Sequence, residues 1–341
     1  MRRLIVALLA LLLLLSVAAY ALLAFWRQPV TMPVGGYRLQ VMPGDSLASL
    51  ARRLAADGVI HSERLMRAYG RLAGLDAKLH TGEYRFQGRV TAAQLLERIA
   101  RGDVVTHRVT LPEGITLARA LAILAEAPRL ASVLSGPEDA RLVELAAGRP
   151  SAEGLFLPET YRYESNATDW EILSRAHADL MATLKRSWSD RQAALPYEEP
   201  YDALIMASIV ERETGVARER GRVAGVFVRR LQRGMRLQTD PTVIYGLGEE
   251  FDGNLTRAHL RDADNPYNTY RHDGLPPTPI ALPGEASLHA ALNPQAGSAL
   301  YFVARGDGSH VFSDTLEAHR EAVRTYQLQQ RADYRSSPEG N

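Results

Sequence analysis

The 341-residue chain contains no cysteine. That excludes disulfides, thiolate metal sites and cysteine nucleophiles, and leaves the redox compartment open. Net charge is nearly absent as well, with 40 Lys and Arg against 39 Asp and Glu, which argues against nucleic acid as the main partner. Several signatures are missing: no Walker A loop, no Gly-x-Gly-x-x-Gly after a strand, no His-Glu-x-x-His and no Gly-x-Ser-x-Gly. The nine histidines are scattered without metal-ligand spacing, so neither a metal nor a cofactor is expected. The length suits one large domain plus a smaller one.

What the chain does have begins at its N-terminus. Arg2 and Arg3 precede an unbroken apolar run from Leu4 to Trp26. At 1.5 Å per residue such a run reaches ~30 Å, enough to cross a bilayer. The two arginines mark the cytoplasmic side, which puts the bulk of the chain outside, with Trp26 and Arg27 at the far interface. Residues 1–27 are thus expected as a cytoplasmic tip and single-pass inner-membrane anchor. Cleavage after the small-x-small site Ala19-Tyr20-Ala21 is the alternative, although the apolar run continues past it.

Residues 28–36, with Pro29, Pro33, Gly35 and Gly36, read as a linker. A small α+β subdomain is expected over 37–105, opening with a strand at Tyr37 to Val41. A turn at Pro43-Gly44-Asp45-Ser46 then starts a helix carrying Leu47, Leu50 and Leu54. Further helices are expected near Ser62 to Leu72 and Thr91 to Arg101, with a returning strand at Gly82 to Phe86. The stretch Val41 to Leu54 resembles the opening of a LysM-type module, a resemblance that implies binding of N-acetylglucosamine glycans. A plain packing role is the alternative.

A larger mixed α/β domain is expected over 106–330, and residues 331–341 read as a disordered tail. Its helices are expected at Thr116 to Glu126, within Ala131 to Arg149, from Asp169 to Ser187, at Ala203 to Gly215 and from Glu219 to Arg233. A strand at Leu300 to Ala304 with its return at His310 to Phe312 precedes a closing helix, Thr315 to Gln330. The arginines Arg218, Arg220, Arg222, Arg229, Arg230 and Arg233 read as a solvated face. Residues 235–246 read as a polar turn segment, and 266–283, with five prolines, as rigid loops.

The chemistry is expected on the helix Ala203 to Gly215, which is apolar until Glu211 and Glu213. Residues two apart on a helix point in opposite directions. Glu211 shares a face with Leu204, Ala207 and Ser208, where small side chains leave room for something to approach. Glu213 falls on the bulky side with Ile205, Met206, Ile209 and Val210, and is expected to anchor an arginine. An acid at the end of an apolar helix suits a general acid with a raised pKa. Glu211 is therefore the catalytic candidate, with Ser208 and Glu213 supporting it.

Several ordered motifs resemble the endolytic murein transglycosylase family (MltG, YceG-like). They are Glu211-Arg212-Glu213-Thr214, Arg236 to Gly246, Tyr267 to Tyr270, Gly274 to Pro277, and Glu153-Gly154-Leu155 followed by Pro158-Glu159-Thr160-Tyr161. The likeness covers roughly Tyr37 to Gln330 in element order. It implies cleavage of the β-1,4 bond between N-acetylmuramic acid and N-acetylglucosamine within peptidoglycan strands, leaving 1,6-anhydro ends. It assigns the acid-then-base role to the first glutamate of Glu-x-Glu-Thr, Glu211 here. Gln238, Thr239, Asp240, Tyr245, Asn268 and Tyr270 are candidates for holding the glycan. Peptidoglycan synthases are the protein partners that the family implies. Two other readings stay open: a hydrolase, with Asp240 or Asp262 as the second acid, and a non-catalytic wall-binding protein.

Overall fold

The computed structural model describes residues 2–328. The chain divides into two compact units: residues up to His107 with Arg162–Asn166, and the remainder.

The first unit starts with α1 (Arg2–Arg27), then β1 (Tyr37–Val41), α2 (Leu47–Ala56), α3 (Glu63–Leu72), β2 (Gly82–Phe86) and α4 (Ala92–Arg101). β3 (Thr106–Thr110) follows and carries the chain from the first unit into the second. β1 and β2 pair antiparallel, Leu39 opposite Tyr84 and Val41 opposite Gly82. Their inward residues meet Leu50 and Leu54 of α2, Met66 of α3 and Leu95, Leu96 and Ile99 of α4 in one apolar core. Polar residues fix where each helix begins. Ser46 and Thr91 close capping boxes with Ser49 and Gln94, and Ser62 accepts from Leu65 N–H.

One expectation changes here. Trp26 does not present its ring to lipid: it is 3% exposed, belongs to this core, and lies 3.6 Å centroid to centroid from Tyr69. Within the expected linker, Val30 N–H donates to the Val90 carbonyl and Thr31 N–H to that of Val59.

The second unit holds α5 (Leu117–Glu126), α6 (Ala140–Leu145), α7 (Asp169–Ser189), α8 (Pro200–Glu213), α9 (Arg220–Gln232), α10 (Asp240–Leu247), α11 (Arg257–Arg261) and α12 (Glu285–Leu292). β4 (Thr160–Glu164), whose residues from Arg162 on belong to the first unit, precedes α7, and the hairpin β5 (Tyr301–Ala304) and β6 (His310–Ser313) precedes α13 (Leu316–Val323). α8 is the centre. Ala203 to Val210 are all buried, because α12 covers one side of the helix and α7, α9 and α10 cover the rest. Burying each Leu, Ile or Val here is worth roughly 1.5–3 kcal/mol.

The stretch 131–149 yields only α6. Gly136 and Pro137 interrupt it, and Asp139 turns its carboxylate back onto the backbone N–H of Ser135 and Arg141. α10 stands where a polar turn was expected: Pro241 lies in its first turn, a position where a missing N–H costs nothing. The closing helix ends at Val323, with one wider turn at Arg324–Leu328. The expected tail, 331–341, lies outside the described residues.

Candidate active site

Glu211 and Glu213 stand at the C-terminal end of α8 and face different surroundings. On the Glu211 side, Ser208 Oγ accepts the Ile280 N–H at 3.0 Å, and Glu211 Oε2 accepts the Gly284 N–H at 2.9 Å. The room expected on the small face is therefore filled by the chain's own segment 280–284. Glu211 Oε1 also pairs with Arg220 at 3.2 Å, and its side chain is 5% exposed. Arg220 reaches Glu113 at 3.5 Å, so two carboxylates share one guanidinium. Burial and the neighbouring Glu211 charge raise the Glu113 pKa, while Arg220 opposes them. Gly284 permits this arrangement: a Cβ there would lie 1.9 Å from Glu113 Oε1.

Among the described residues no arginine pairs with Glu213; the arginine goes to Glu211. Instead the Thr239 hydroxyl donates to Glu213 Oε1. Thr239 is buried, and its N–H donates to Thr269 Oγ1 at 3.1 Å. Next along, Asp240 accepts the Tyr270 hydroxyl at 2.7 Å. Desolvation pushes the Glu213 pKa up to about 7; the Asp240 charge adds to this and the Thr239 hydroxyl opposes it. Glu213 is thus a half-buried carboxyl whose pKa is pushed up toward neutrality, whereas Glu211 is held by a guanidinium and a backbone N–H.

The remaining glycan candidates are dispersed. Gln238 is exposed with φ 53°, and its side-chain oxygen accepts from Arg230 at 3.3 Å. Asn268 is fully buried and its carboxamide is spent on the carbonyls of His259 and Asp262 and the N–H of Tyr270. Tyr245 packs edge-to-face on Tyr267, 4.9 Å between centroids, and donates to Glu153 at 3.3 Å. Both tyrosines line a cleft of about 750 Å³ with Glu153, Arg212, Pro241 and Ile244. α10 therefore runs from the partners of Glu213 at its start into the cleft wall one turn later.

Glu153, 5% exposed, was missed as a site residue. Both its oxygens accept the Leu117 N–H, at 2.9 and 3.1 Å, and burial pushes its pKa up to about 7. The signal was present, since Glu153-Gly154-Leu155 is one of the family motifs. Arg220 and Glu113 were missed because the arginine run was read as solvated. Arg230 is in fact buried, donating to Leu300 and Leu237 carbonyls at 2.7 and 2.8 Å, and Arg229 reaches those of Ala299 and Gln295. Asp262, the other acid considered, accepts the Asp264 N–H on an irregular loop. Among the described residues, no group of His, Asp and Glu is placed to hold a metal ion.

An endolytic murein transglycosylase of Bacillus subtilis is 28% identical over 310 residues, covering 84% of each chain. Its counterpart from Streptococcus pneumoniae serotype 2 is 23% identical over 316 residues, which is 82% of this chain and 56% of that one. The crystal structure of a yceG-like protein from Listeria monocytogenes aligns with a TM-score of 0.54 at 28% identity, over 85% of this chain and 99% of that one. The YceG-like family model matches residues 39–325, and the chain therefore belongs to the YceG-like family.

Proposed function

We propose that this chain is an endolytic peptidoglycan transglycosylase, and that Glu213 rather than Glu211 is its acid and base. The activity rests on family membership and the names its relatives carry. The assignment rests on one observation: Glu211 is taken up by Arg220 and the Gly284 N–H, whereas Glu213, among the described residues, accepts only a neutral hydroxyl, that of Thr239, beside Asp240 at the head of the helix that walls the cleft, where burial raises its pKa.

A protonated Glu213 gives its proton to the oxygen leaving C1 of the muramic residue, which becomes the 4-hydroxyl of N-acetylglucosamine. As the C1–O bond breaks, positive charge builds on the muramic ring. The ring's own C6 hydroxyl closes onto C1 and surrenders its proton to the carboxylate, which regenerates the acid. No water enters, so one carboxyl suffices where a hydrolase needs two. The Tyr245–Tyr267 pair and the apolar side chains of Ile244 and Pro241 offer faces for the glycan, and Gln238, Asp240 and Tyr270 lie on the Glu213 side.

The helix Ile5–Arg27, mean hydropathy 2.8, anchors the chain in the inner membrane with the catalytic unit outside. Arg2 and Arg3 before it support that orientation. In the first unit the order β1-α2-α3-β2 supports a LysM-like glycan-binding role. Mass analysis of digested peptidoglycan tests the whole reading. Anhydro ends on internal fragments are expected; reducing ends would mark a hydrolase, and intact strands a binding protein.

A further inference from the structure

The apolar stretch Ile5–Arg27 has 23 residues, which at 1.5 Å each spans about 34 Å, ample for a hydrocarbon core of ~30 Å. One side of its last turns, however, is not free to face lipid, although Leu23 on the other side stays exposed. Trp26 is buried against Tyr69, and Leu22 and Phe25 pack on the same core. What remains, Ile5 to Ala21, rises only about 25 Å. Nor is there slack beyond the helix, since Val30 and Thr31 are already hydrogen-bonded to Val90 and Val59. A span this short, joined to a folded core without a spacer, draws that core to the hydrocarbon boundary.

Two features near the exit of α1 suit that depth. Tyr69 touches Trp26, and within one turn along the chain come Arg71, exposed, and Leu72, an apolar side chain 76% exposed. Arg27, also exposed, ends the span itself. A cation beside an exposed leucine is the pairing that an anionic headgroup layer accommodates, charge in the headgroups and carbon below them. We propose that the first unit rests directly on the outer face of the membrane, with anionic phospholipid headgroups as the partner of the surface carrying Arg27, Arg71 and Leu72. This rests on reading α1 as a retained span, and it fixes the height at which that unit meets glycan.

The cysteine-free sequence makes the test direct. The full chain, carrying Gln28→Cys, Leu72→Cys or, as control, Arg52→Cys on α2, is labelled with a small fluorophore. It is then reconstituted in phosphatidylethanolamine–phosphatidylglycerol vesicles containing a headgroup-level nitroxide lipid. α1 packs on α3 and α4, so position 52 serves as the remote reference. Quenching at 28 and 72 should exceed that at 52 at least threefold. Inserting four apolar residues after Leu15 should cut quenching at 72 by about half. Equal quenching at 72 and 52 in protein of full intact mass would overturn the proposal while leaving the span intact. Unchanged quenching at 72 in purely zwitterionic vesicles would overturn the anionic partner. Recovery of a chain lacking residues 1–21 would overturn the span reading, and the proposal with it.

Discussion

The Thr239 hydroxyl donates to the carboxyl of Glu213, joining the start of α10 to the end of α8. That bond favours the charged form, against desolvation and the charge of Asp240. The two neighbours therefore act with opposite sign on one acid. Thr239→Val should move the alkaline limb of kcat/KM for glycan cleavage to higher pH, and Asp240→Asn should move it lower. Shifts of the same sign in both profiles would mean that Glu213 is not the group being titrated.

The two acids of α8 separate by substitution. Glu213→Gln keeps size and one acceptor for Thr239 but removes the transferable proton, so activity should fall about 10²-fold or more in a folded protein. Glu211→Gln should leave turnover measurable and lower stability, because it removes the partner of Arg220. The reverse pattern, with Glu211→Gln inactive yet stable, would return the acid role to Glu211. Thermal melts and digestion rates on the same preparations read both quantities.

The helix that carries both acids was legible from its apolar run, and so were the small-unit helices, whose Ser and Thr caps are local signals. The choice between Glu211 and Glu213 was not. In sequence the helix has one bulky and one small side, but α8 is buried all round, and what distinguishes the acids comes from afar: Arg220 and Gly284 for one, Thr239 for the other. An amphipathic reading also misplaced Arg229 and Arg230. A long guanidinium on a helix looks solvated in sequence, and only the carbonyls of 295–300 folding back over α9 reveal otherwise. Trp26 failed for the same reason, since an aromatic ending an apolar run is equally fit for an interface or a core.

Arg220 holds Glu211 and Glu113 together, so its removal leaves two acids facing each other without a cation. Arg220→Met should destabilise the fold by about 3 kcal/mol, the cost typical of stranding a buried charge. Glu211→Gln added to that variant should restore part of the loss, since one of the stranded charges is then gone. Urea midpoints for the two singles and the double close the cycle. Strictly additive losses would show that the pairing in the fold carries no coupling energy.

Glu153 has a pH signature of its own. Its pKa is raised from 4.5 to about 7, so between those values the folded chain binds the proton that the unfolded chain releases. Stability contributed by this group therefore falls as pH rises through that window and is level above it. Glu153→Gln cannot ionise and keeps an acceptor for the Leu117 N–H and the Tyr245 hydroxyl. The variant should gain on the wild type by on the order of 2–3 kcal/mol between pH 4.5 and pH 8, whatever its offset at the acid end. Taking the difference between the two proteins removes the parallel titration of Glu213, which both retain. Urea unfolding of each at the two pH values measures it. Identical pH slopes would show that Glu153 ionises in the folded chain as freely as in water, and that the cleft wall it joins is wetter than its burial implies.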